Sequence, residues 1–265
     1  MKSASFARWL WAFSIAALSL AGTASAAELR VMISAGFYGV YAQLGPAFEK
    51  ATGHKLVTTR GPSVGDSPEA IPTRLGRGEG ADLVICDGRG SDDLIKRGFI
   101  RAETWTEFAK SKVGMVVREG APRPDISTPD ALRKTLVAAK SVAYSDSTSG
   151  TYLSTTLFPK LGIGAEVAAK SRKVRGPPSG EPVAAVVARG EAEVGFQQMS
   201  ELMHVSGVTV VGSIPEELQP GSSFGGAVTS NSREPQAATA LLKFLAAPEA
   251  AAVIAKAGLS PVSTR

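Results

Sequence analysis

The chain has 265 residues, of which 44% are hydrophobic and 20% are charged, a composition typical of a protein with a well-formed apolar core. Its formal net charge is +5, but the basic residues are scattered and only 6% of the residues are aromatic. This composition disfavours nucleic-acid binding, which needs a basic patch. The single cysteine, Cys86, excludes a disulfide within the chain.

The N-terminal segment has the three parts of a secretory signal peptide. Lys2 and Arg8 supply positive charge, residues 9–20 are apolar apart from two serines, and a small-x-small cleavage site ends at Ala26. The apolar run is about a dozen residues long, shorter than the roughly 20 needed to span a bilayer as a helix. We therefore predict that residues 1–26 are a cleaved signal peptide and that the mature protein is exported to the periplasm.

Short apolar strands alternate with helical patterns along the mature chain, which predicts an α/β protein. The first series has strands at 29–34, 54–59 and 81–86 and helices at about 40–52, 68–76 and 91–97. The second has strands at 113–118, 141–144, 193–197 and 208–211 and helices at about 130–139 and 182–189. A strand at 224–230 and an Ala-rich helical region at 234–257 then return to the first series.

Loops rich in Gly, Ser and Thr follow several predicted strands, where open α/β sheets bind their ligands. They include residues 34–36, residues 60–67 (RGPSVGDS) and residues 145–150 (SDSTSG). Each loop offers hydroxyl and backbone N–H donors at the positive end of a helix dipole. One such loop is equally typical of helix capping, but three at matching positions predict an anion-binding site.

Four segments of the sequence resemble the periplasmic molybdate-binding protein family, which belongs to the solute-binding receptors of ABC transporters. They are residues 44–53 (LGPAFEKATG), 77–85 (RGEGADLVI), 189–195 (RGEAEVG) and 240–261, which contains FLAAPEA and AGLSP. The resemblance covers essentially the whole mature chain. It implies an α/β, two-lobed type II periplasmic-binding-protein fold, each lobe a mainly parallel sheet flanked by helices, with the ligand in the cleft between the lobes.

The resemblance also implies an organisation and a set of partners. Lobe I comprises residues 27–112 and the returning segment 225–265, and lobe II comprises residues 113–224. The expected partners are a small anionic ligand and an ABC permease with its ATPase at the inner membrane. The protein is expected to be a monomer that binds no nucleic acid.

The loops and the resemblance together predict the ligand-binding residues. The family's first-strand serine corresponds to Ser34 or Ala35, its second serine-containing loop to the segment around Ser63, and its second-lobe backbone donor to residues 148–150. The full predicted set is Ser34, Ala35, Gly36, Arg60, Ser63, Ser67, Ser145, Ser149, Gly150, Gly180 and Gln198.

Two positions depart from the family pattern and leave the ligand open. Arg60 is an added cation in the second loop, and Gln198 stands where the family has a tyrosine. A tetrahedral dianion such as molybdate or tungstate is usually held by neutral donors, whereas Arg pairs with a planar carboxylate through two hydrogen bonds. The ligand is molybdate or tungstate by family, or an organic carboxylate by these departures. A secreted ligand-sensing role is a further alternative.

Motifs of nucleophilic, zinc and dinucleotide chemistry are absent from the sequence. We therefore expect a protein that is not an enzyme, with no catalytic residues, no cofactor and no metal. An enzyme on the same fold would need an acid–base pair in the cleft. The candidates for such a pair are Asp66, Asp87, Asp146 and Glu181.

Overall fold

The computed structural model describes residues 26–219 and 221–262, so the predicted signal peptide lies outside the described residues except for Ala26. Two β-sheets, each flanked by helices, form two lobes. The elements of the first lobe in the first half of the chain are β1 (Glu28–Ile33), α1 (Ala35–Thr52), β2 (Lys55–Arg60), α2 (Ile71–Gly76), β3 (Leu83–Asp87), α3 (Gly88–Lys96) and β4 (Thr106–Ser111).

The second sheet begins with β5 (Val113–Arg118), and the chain then returns to the first sheet. The elements that follow β5 in this part of the chain are α4 (Pro129–Ala138), β6 (Val142–Ser145), α5 (Thr148–Tyr152), α6 (Phe158–Lys160), α7 (Gly164–Ala168), β7 (Ser171–Val174), α8 (Val183–Ala188), β8 (Val194–Gln198), α9 (Met199–Leu202) and β9 (Val208–Ser213). A π-helical turn, Leu153–Leu157, joins α5 to α6. The returning elements are β10 (Ser222–Val228), α10 (Pro235–Leu245), α11 (Ala251–Lys256) and β11 (Ser260–Pro261).

Both sheets are mixed rather than mainly parallel. The first has the strand order β11-β4-β10-β3-β1-β2, and only the pairings of β1 with β2 and β3 are parallel. The second has the order β7-β6-β8-β5-β9, and only the pairings of β6 with β7 and β8 are parallel. Most antiparallel pairings involve β5 or β10, the strands that follow the two passages between the sheets, and the remaining one joins β11 to β4. The division at 112/113 and 224/225 stays a prediction, although β10 already pairs with β4 from Ser222.

Each lobe has its own apolar core. In the first lobe β3 is buried along its whole length, as its continuous apolar run predicts, and the Phe37 and Phe108 rings pack with centroids 5.1 Å apart. In the second lobe Met115 and Phe196 are fully buried between the sheet and its helices. In the described part of the chain no single helix is long and apolar enough to cross a membrane, and one bent pair, α10 with residues 248–256, passes that test by length and composition.

Three predicted helix starts are wrong, and all three lie at the cleft. Helix α3 begins at Gly88 rather than near residue 91, because Asp87 caps it. Helix α1 begins at Ala35 rather than near residue 40, because Ser34 takes the extended N-cap conformation and Phe37 and Val40 then face the core. Helix α2 begins at Ile71 rather than at Pro68. Residues 61–70 instead form a close-packed loop, in which a Cβ at Gly61 would lie 1.9 Å from the carbonyl oxygen of Glu69.

Candidate functional site

A cavity lies between the lobes, where β1, β2 and β3 end on one side and β6 and β8 end on the other. Its walls are residues 34–36, 61–63, 87 and 224 from the first lobe and residues 145–148, 176, 177, 197, 198 and 201 from the second. A wider surface hollow at the opposite edge of the first sheet contains Asp82. That carboxylate accepts hydrogen bonds from three backbone N–H groups and a serine hydroxyl, so its role is structural.

Ser34 presents a free hydroxyl at the start of α1. Its backbone N–H donates to the Ile85 carbonyl at 3.0 Å, which fixes the residue at the end of β1. Its side chain does not cap the helix, and Oγ is buried without a hydrogen-bond partner among the described residues. The first N–H groups of a long helix are also unpaired within that helix. This corner of the cavity therefore offers an anion both a hydroxyl and backbone N–H donors.

Asp87 links the lobes. Its Oδ1 accepts from the Gly90 N–H at 2.9 Å and so caps α3, and its Oδ2 accepts from the Thr148 hydroxyl of the second lobe at 2.8 Å. Its backbone N–H donates to Oγ of buried Ser63 at 3.2 Å. Both carboxylate oxygens are thus occupied by protein donors, and the three residues join the second loop, β3 and α5.

Three serine hydroxyls form a triangle at the start of α5. The oxygen of Ser145 lies 2.7 Å from that of Ser147 and 3.2 Å from that of Ser149, and the latter two are 3.3 Å apart. A Cβ at Gly150 would lie 1.7 Å from the Ser145 carbonyl oxygen, so only glycine permits this tight turn. Because hydroxyl protons rotate freely, the triangle can redirect donors towards a bound anion.

The two glutamines that end β8 are buried and held by hydrogen bonds. Oε1 of Gln198 accepts from the Ser111 hydroxyl of β4 at 2.7 Å, which ties the cavity to the passage between the lobes. Oε1 of Gln197 accepts from the Val183 N–H at 3.0 Å, and its Nε2 donates to Oε2 of Glu201 at 2.6 Å. Gln197 therefore positions a carboxyl group at the cavity wall.

Glu201 is the ionisable group in the cavity whose proton affinity is most altered. Burial raises its pKa to about 7, an effect that the Gln197 hydrogen bond and the Arg60 charge oppose and that the Asp146 and Asp87 charges reinforce. A carboxyl group with such a pKa exchanges protons readily near neutral pH. The cavity can therefore support acid–base chemistry as well as binding.

Arg60 lies beside the cavity rather than in its wall. Its guanidinium carbon sits 4.0 Å from the centroid of the Tyr38 ring, a cation–π contact. Its Nε is buried without a hydrogen-bond partner among the described residues. Whether Arg60 contacts the ligand stays a prediction.

Two further contacts hold the lobes together across the cleft. The Ser200 hydroxyl donates to the Gly36 carbonyl at 2.7 Å, and Arg175 pairs with Glu69. The Arg175 hydrogen bond lowers the pKa of Glu69, whose side chain is close to solvent. These contacts show that the lobes are closed over the cavity.

The structure brings together most of the predicted binding residues, although their contact with a ligand stays a prediction. Six of them form the cavity wall, namely Ser34, Ala35, Gly36, Ser63, Ser145 and Gln198. Ser149 and Gly150 lie directly behind that wall in the tight turn. Ser67 lines a separate surface hollow, and Gly180 is exposed in the loop between β7 and α8.

The sequence reading missed several wall residues. Ser147 falls within the loop that was singled out, and Thr148 was assigned only a backbone donor there, because the loop pattern does not show which hydroxyls face the cleft. Gln197 precedes the residue aligned with the family tyrosine. Glu201 belongs to no sequence motif. Only its position, just after a strand that ends at the cleft, could have indicated a role in the site. Among the earlier acid–base candidates, Asp87 and Asp146 reach the wall, whereas Glu181 pairs with Arg189 at the surface.

Comparison with known proteins identifies the family to which the chain belongs. The sequence profile for bacterial extracellular solute-binding proteins matches residues 29–260. An aconitate isomerase of Pseudomonas sp. is 46% identical over 253 residues, which cover 96% of this chain and 95% of that protein. The molybdate-binding protein ModA of Azotobacter vinelandii is 27% identical over 239 residues, which cover 89% of this chain and 90% of that protein. The solved structure of the periplasmic molybdate-binding protein from that organism superposes with a TM-score of 0.69 at 21% identity, covering 89% of this chain and all of the other.

The chain belongs to the bacterial extracellular solute-binding protein family. The predicted fold class is confirmed, and so is the resemblance to molybdate-binding proteins. The prediction that the chain is not an enzyme is wrong, because a relative of 46% identity along nearly its entire length carries the name of an enzyme. The absent sequence motifs cover only nucleophilic, metal and dinucleotide chemistry, so their absence does not exclude other kinds of catalysis.

Proposed function

We propose that the interlobe cavity binds aconitate, or a closely similar unsaturated tricarboxylate, and interconverts its geometric isomers. The observation that carries this proposal is the 46% identity to an aconitate isomerase across 96% of this chain and 95% of that protein. A match over 96% of this chain extends across both sheets that border the cavity. This assignment selects the organic carboxylate among the ligands that the sequence left open.

The donors of the cavity suit a small anion with several carboxylates. The unpartnered hydroxyl of Ser34 and the N-terminus of α1 face the hydroxyl triangle of Ser145, Ser147 and Ser149 from the opposite lobe. Charge-assisted hydrogen bonds from such donors to carboxylates are about twice as strong as neutral ones. Arg60, just behind the wall, adds positive potential. Closure of the lobes then removes the anion from water and strengthens each of these interactions.

The chemistry of the reaction fits a protein that supplies only side chains. Aconitate is a propene tricarboxylate, and moving one proton from its methylene carbon to the far alkene carbon shifts the double bond. The new double bond can form in either geometry, so a proton shift alone interconverts the isomers without oxidation. Glu201 supplies an acid–base group of suitable pKa.

The place of action follows from the family and the N-terminal segment. The predicted signal peptide of residues 1–26 would deliver the mature protein to the periplasm, where aconitate arriving from outside the cell is first met. The mature chain would act there as a monomer.

Capture of a molybdate-type oxyanion for an ABC permease and its ATPase is the second candidate. It is favoured by the 27% identity to ModA of Azotobacter vinelandii and by the neutral hydroxyl donors of the cavity. The three carboxyl groups that line the cavity, those of Asp87, Asp146 and Glu201, weigh against a bare dianion, since nothing in molybdate requires an acid–base group.

A calorimetric titration combined with a turnover assay separates the two candidates. Purified mature protein is titrated with cis-aconitate, trans-aconitate, citrate and molybdate, and each aconitate is then analysed by chromatography. We expect aconitate binding with appearance of the opposite isomer. Tight binding of molybdate together with no binding of either aconitate would overturn the proposal.

A further inference from the structure

We propose that Glu201 is the catalytic base of the isomerisation and that its Oε1 is the atom that takes up and returns the substrate proton. The inference rests on the proposed function and names the group that performs it.

The orientation of Gln197 determines which oxygen of Glu201 is available. The Val183 N–H can only donate, so the Gln197 atom that it contacts must be the amide oxygen. The amide nitrogen then necessarily donates to Oε2 of Glu201. Among the described residues Oε1 makes no hydrogen bond, whereas Oε2 accepts the one from Gln197. A proton on this carboxyl group therefore resides on Oε1, while Oε2 keeps its acceptor role in both protonation states.

The other two carboxyl groups of the wall are less free to act. Both oxygens of Asp87 accept hydrogen bonds, from Gly90 N–H and from the Thr148 hydroxyl. Oδ1 of Asp146 accepts from the Gly176 N–H at 3.1 Å and so holds the loop that follows β7. Protonating Asp87 would remove a hydrogen bond that joins the lobes. Glu201 can change its protonation state without the loss of any such contact.

The surroundings of Glu201 suit a base that must also act as an acid. The side chain is partly buried, and the charges of Arg60, Asp146 and Asp87 all act on its carboxyl group. Arg60 stabilises the charged form, whereas burial and the two carboxylates favour the neutral form. Near neutral pH both forms of Glu201 are populated.

The proton shift then balances with this one residue. Oε1 of the charged carboxylate removes a proton from the methylene carbon, and the electron pair of the broken C–H bond spreads over the allylic carbons and their carboxylates. The now neutral Glu201 returns a proton to the opposite allylic carbon, which relocates the double bond. Serine hydroxyls and helix N–H groups stabilise the additional negative charge on the carboxylates. Glu201 ends the cycle charged, as it began.

The test compares wild-type protein with Glu201→Gln, which keeps the shape of the side chain and the contact with Gln197. In D₂O, proton NMR follows both isomerisation and the exchange of the methylene hydrogens of trans-aconitate. We expect both rates to fall by at least about 100-fold, the usual range for loss of a general base, with aconitate affinity unchanged or stronger. Glu166→Gln, on exposed α7, is the matched surface control.

Each outcome of this test has a definite reading. A Glu201→Gln protein that still exchanges the methylene hydrogens at the wild-type rate overturns the inference and leaves the proposed function intact. A wild-type protein that binds aconitate but does not isomerise it overturns both. If Glu201→Gln does not fold, Glu201→Asp decides, because a carboxylate withdrawn by one methylene group should lower the turnover rate yet keep the acid limb of the pH profile.

Discussion

The hydroxyl of Thr148 donates a 2.8 Å hydrogen bond to the Asp87 carboxylate across the cleft, so that the N-terminus of α5 in one lobe is joined to the N-cap of α3 in the other. The bond is buried on both sides, since Thr148 is 7% and Asp87 is 4% exposed. A closed cleft is thus stabilised by the same loops that form its walls, and binding and closure should be coupled.

Thr148→Val should weaken ligand binding by favouring the open form. Loss of a hydrogen bond to a charged group costs about 1.5–3 kcal/mol, or about 10- to 150-fold in affinity. Calorimetry with aconitate measures the effect, and small-angle scattering should show a larger radius of gyration for the variant at the same ligand concentration. Thr155→Val, which removes only an exposed bond to the Thr151 carbonyl, is the control. Equal affinities for the two variants would contradict the coupling.

Ser34→Ala should separate binding from stability. Because Oγ of Ser34 is buried without a partner, its removal should leave the melting temperature of the ligand-free protein unchanged or slightly higher. Affinity for the anion should fall by about tenfold or more. Ser91→Ala is a suitable comparison, since its hydroxyl only donates to the Gly88 carbonyl within α3. A Ser34→Ala protein with wild-type affinity would remove Ser34 from the site.

The pH dependence of kcat/KM should report Glu201. Since the base must be charged, kcat/KM should rise with pH up to about 7 and then level off. Arg60→Met should move this limb to higher pH, because the Arg60 charge lowers the pKa of Glu201. Arg60→Lys keeps the charge and should leave the limb in place. A limb that is identical in all three proteins would show that Arg60 does not act on the group that titrates.

The raised pKa of Glu201 also implies that the stability of the protein depends on pH. The Glu201 carboxyl group has a pKa of about 7 in the folded protein against 4.5 for the ordinary group, so the folded state binds its proton more tightly than the unfolded chain. Folding is therefore opposed increasingly as pH rises from 4.5 to about 7. Glu201→Gln should raise the free energy of unfolding at pH 8 by on the order of 2 kcal/mol and leave it unchanged at pH 4. Urea denaturation at the two pH values tests this, and a gain of equal size at both would contradict it.

The sequence predicts those features of the site that depend on neighbouring residues, and it does not predict those that depend on residues distant in the chain. The buried strand β3 is a continuous apolar run, and the serine-rich loops follow strands directly, so the cleft edge could be located from the chain alone. The start of α2 was placed too early, at residue 68, because a serine before a proline has the pattern of a helix N-cap, whereas the loop in which Gly61 packs against Glu69 delays α2 to Ile71. Glu201 could not be found, because its pKa depends on burial in the folded protein and on the charges of Arg60, Asp87 and Asp146, which are distant in the chain.

The sequence pattern also did not predict that the two sheets contain antiparallel strands. A βαβ spacing predicts parallel neighbours, but β10 is inserted between β3 and β4 only after the chain has completed the second lobe. The long sequence separation between these partners leaves no periodic signal. Its functional result is that Phe224 of β10 reaches the cleft and packs against the start of α1, where a Cβ at Gly36 would lie 2.2 Å from its ring.

Proton NMR, started from each isomer separately, measures directly whether the protein interconverts the two aconitates. Purified mature protein is added to cis-aconitate in one sample and to trans-aconitate in another. We expect both samples to reach the same ratio of isomers, at a rate that is proportional to protein concentration and is abolished by Glu201→Gln. Samples that keep their starting isomer, although calorimetry shows that the anion is bound, would contradict the proposed function.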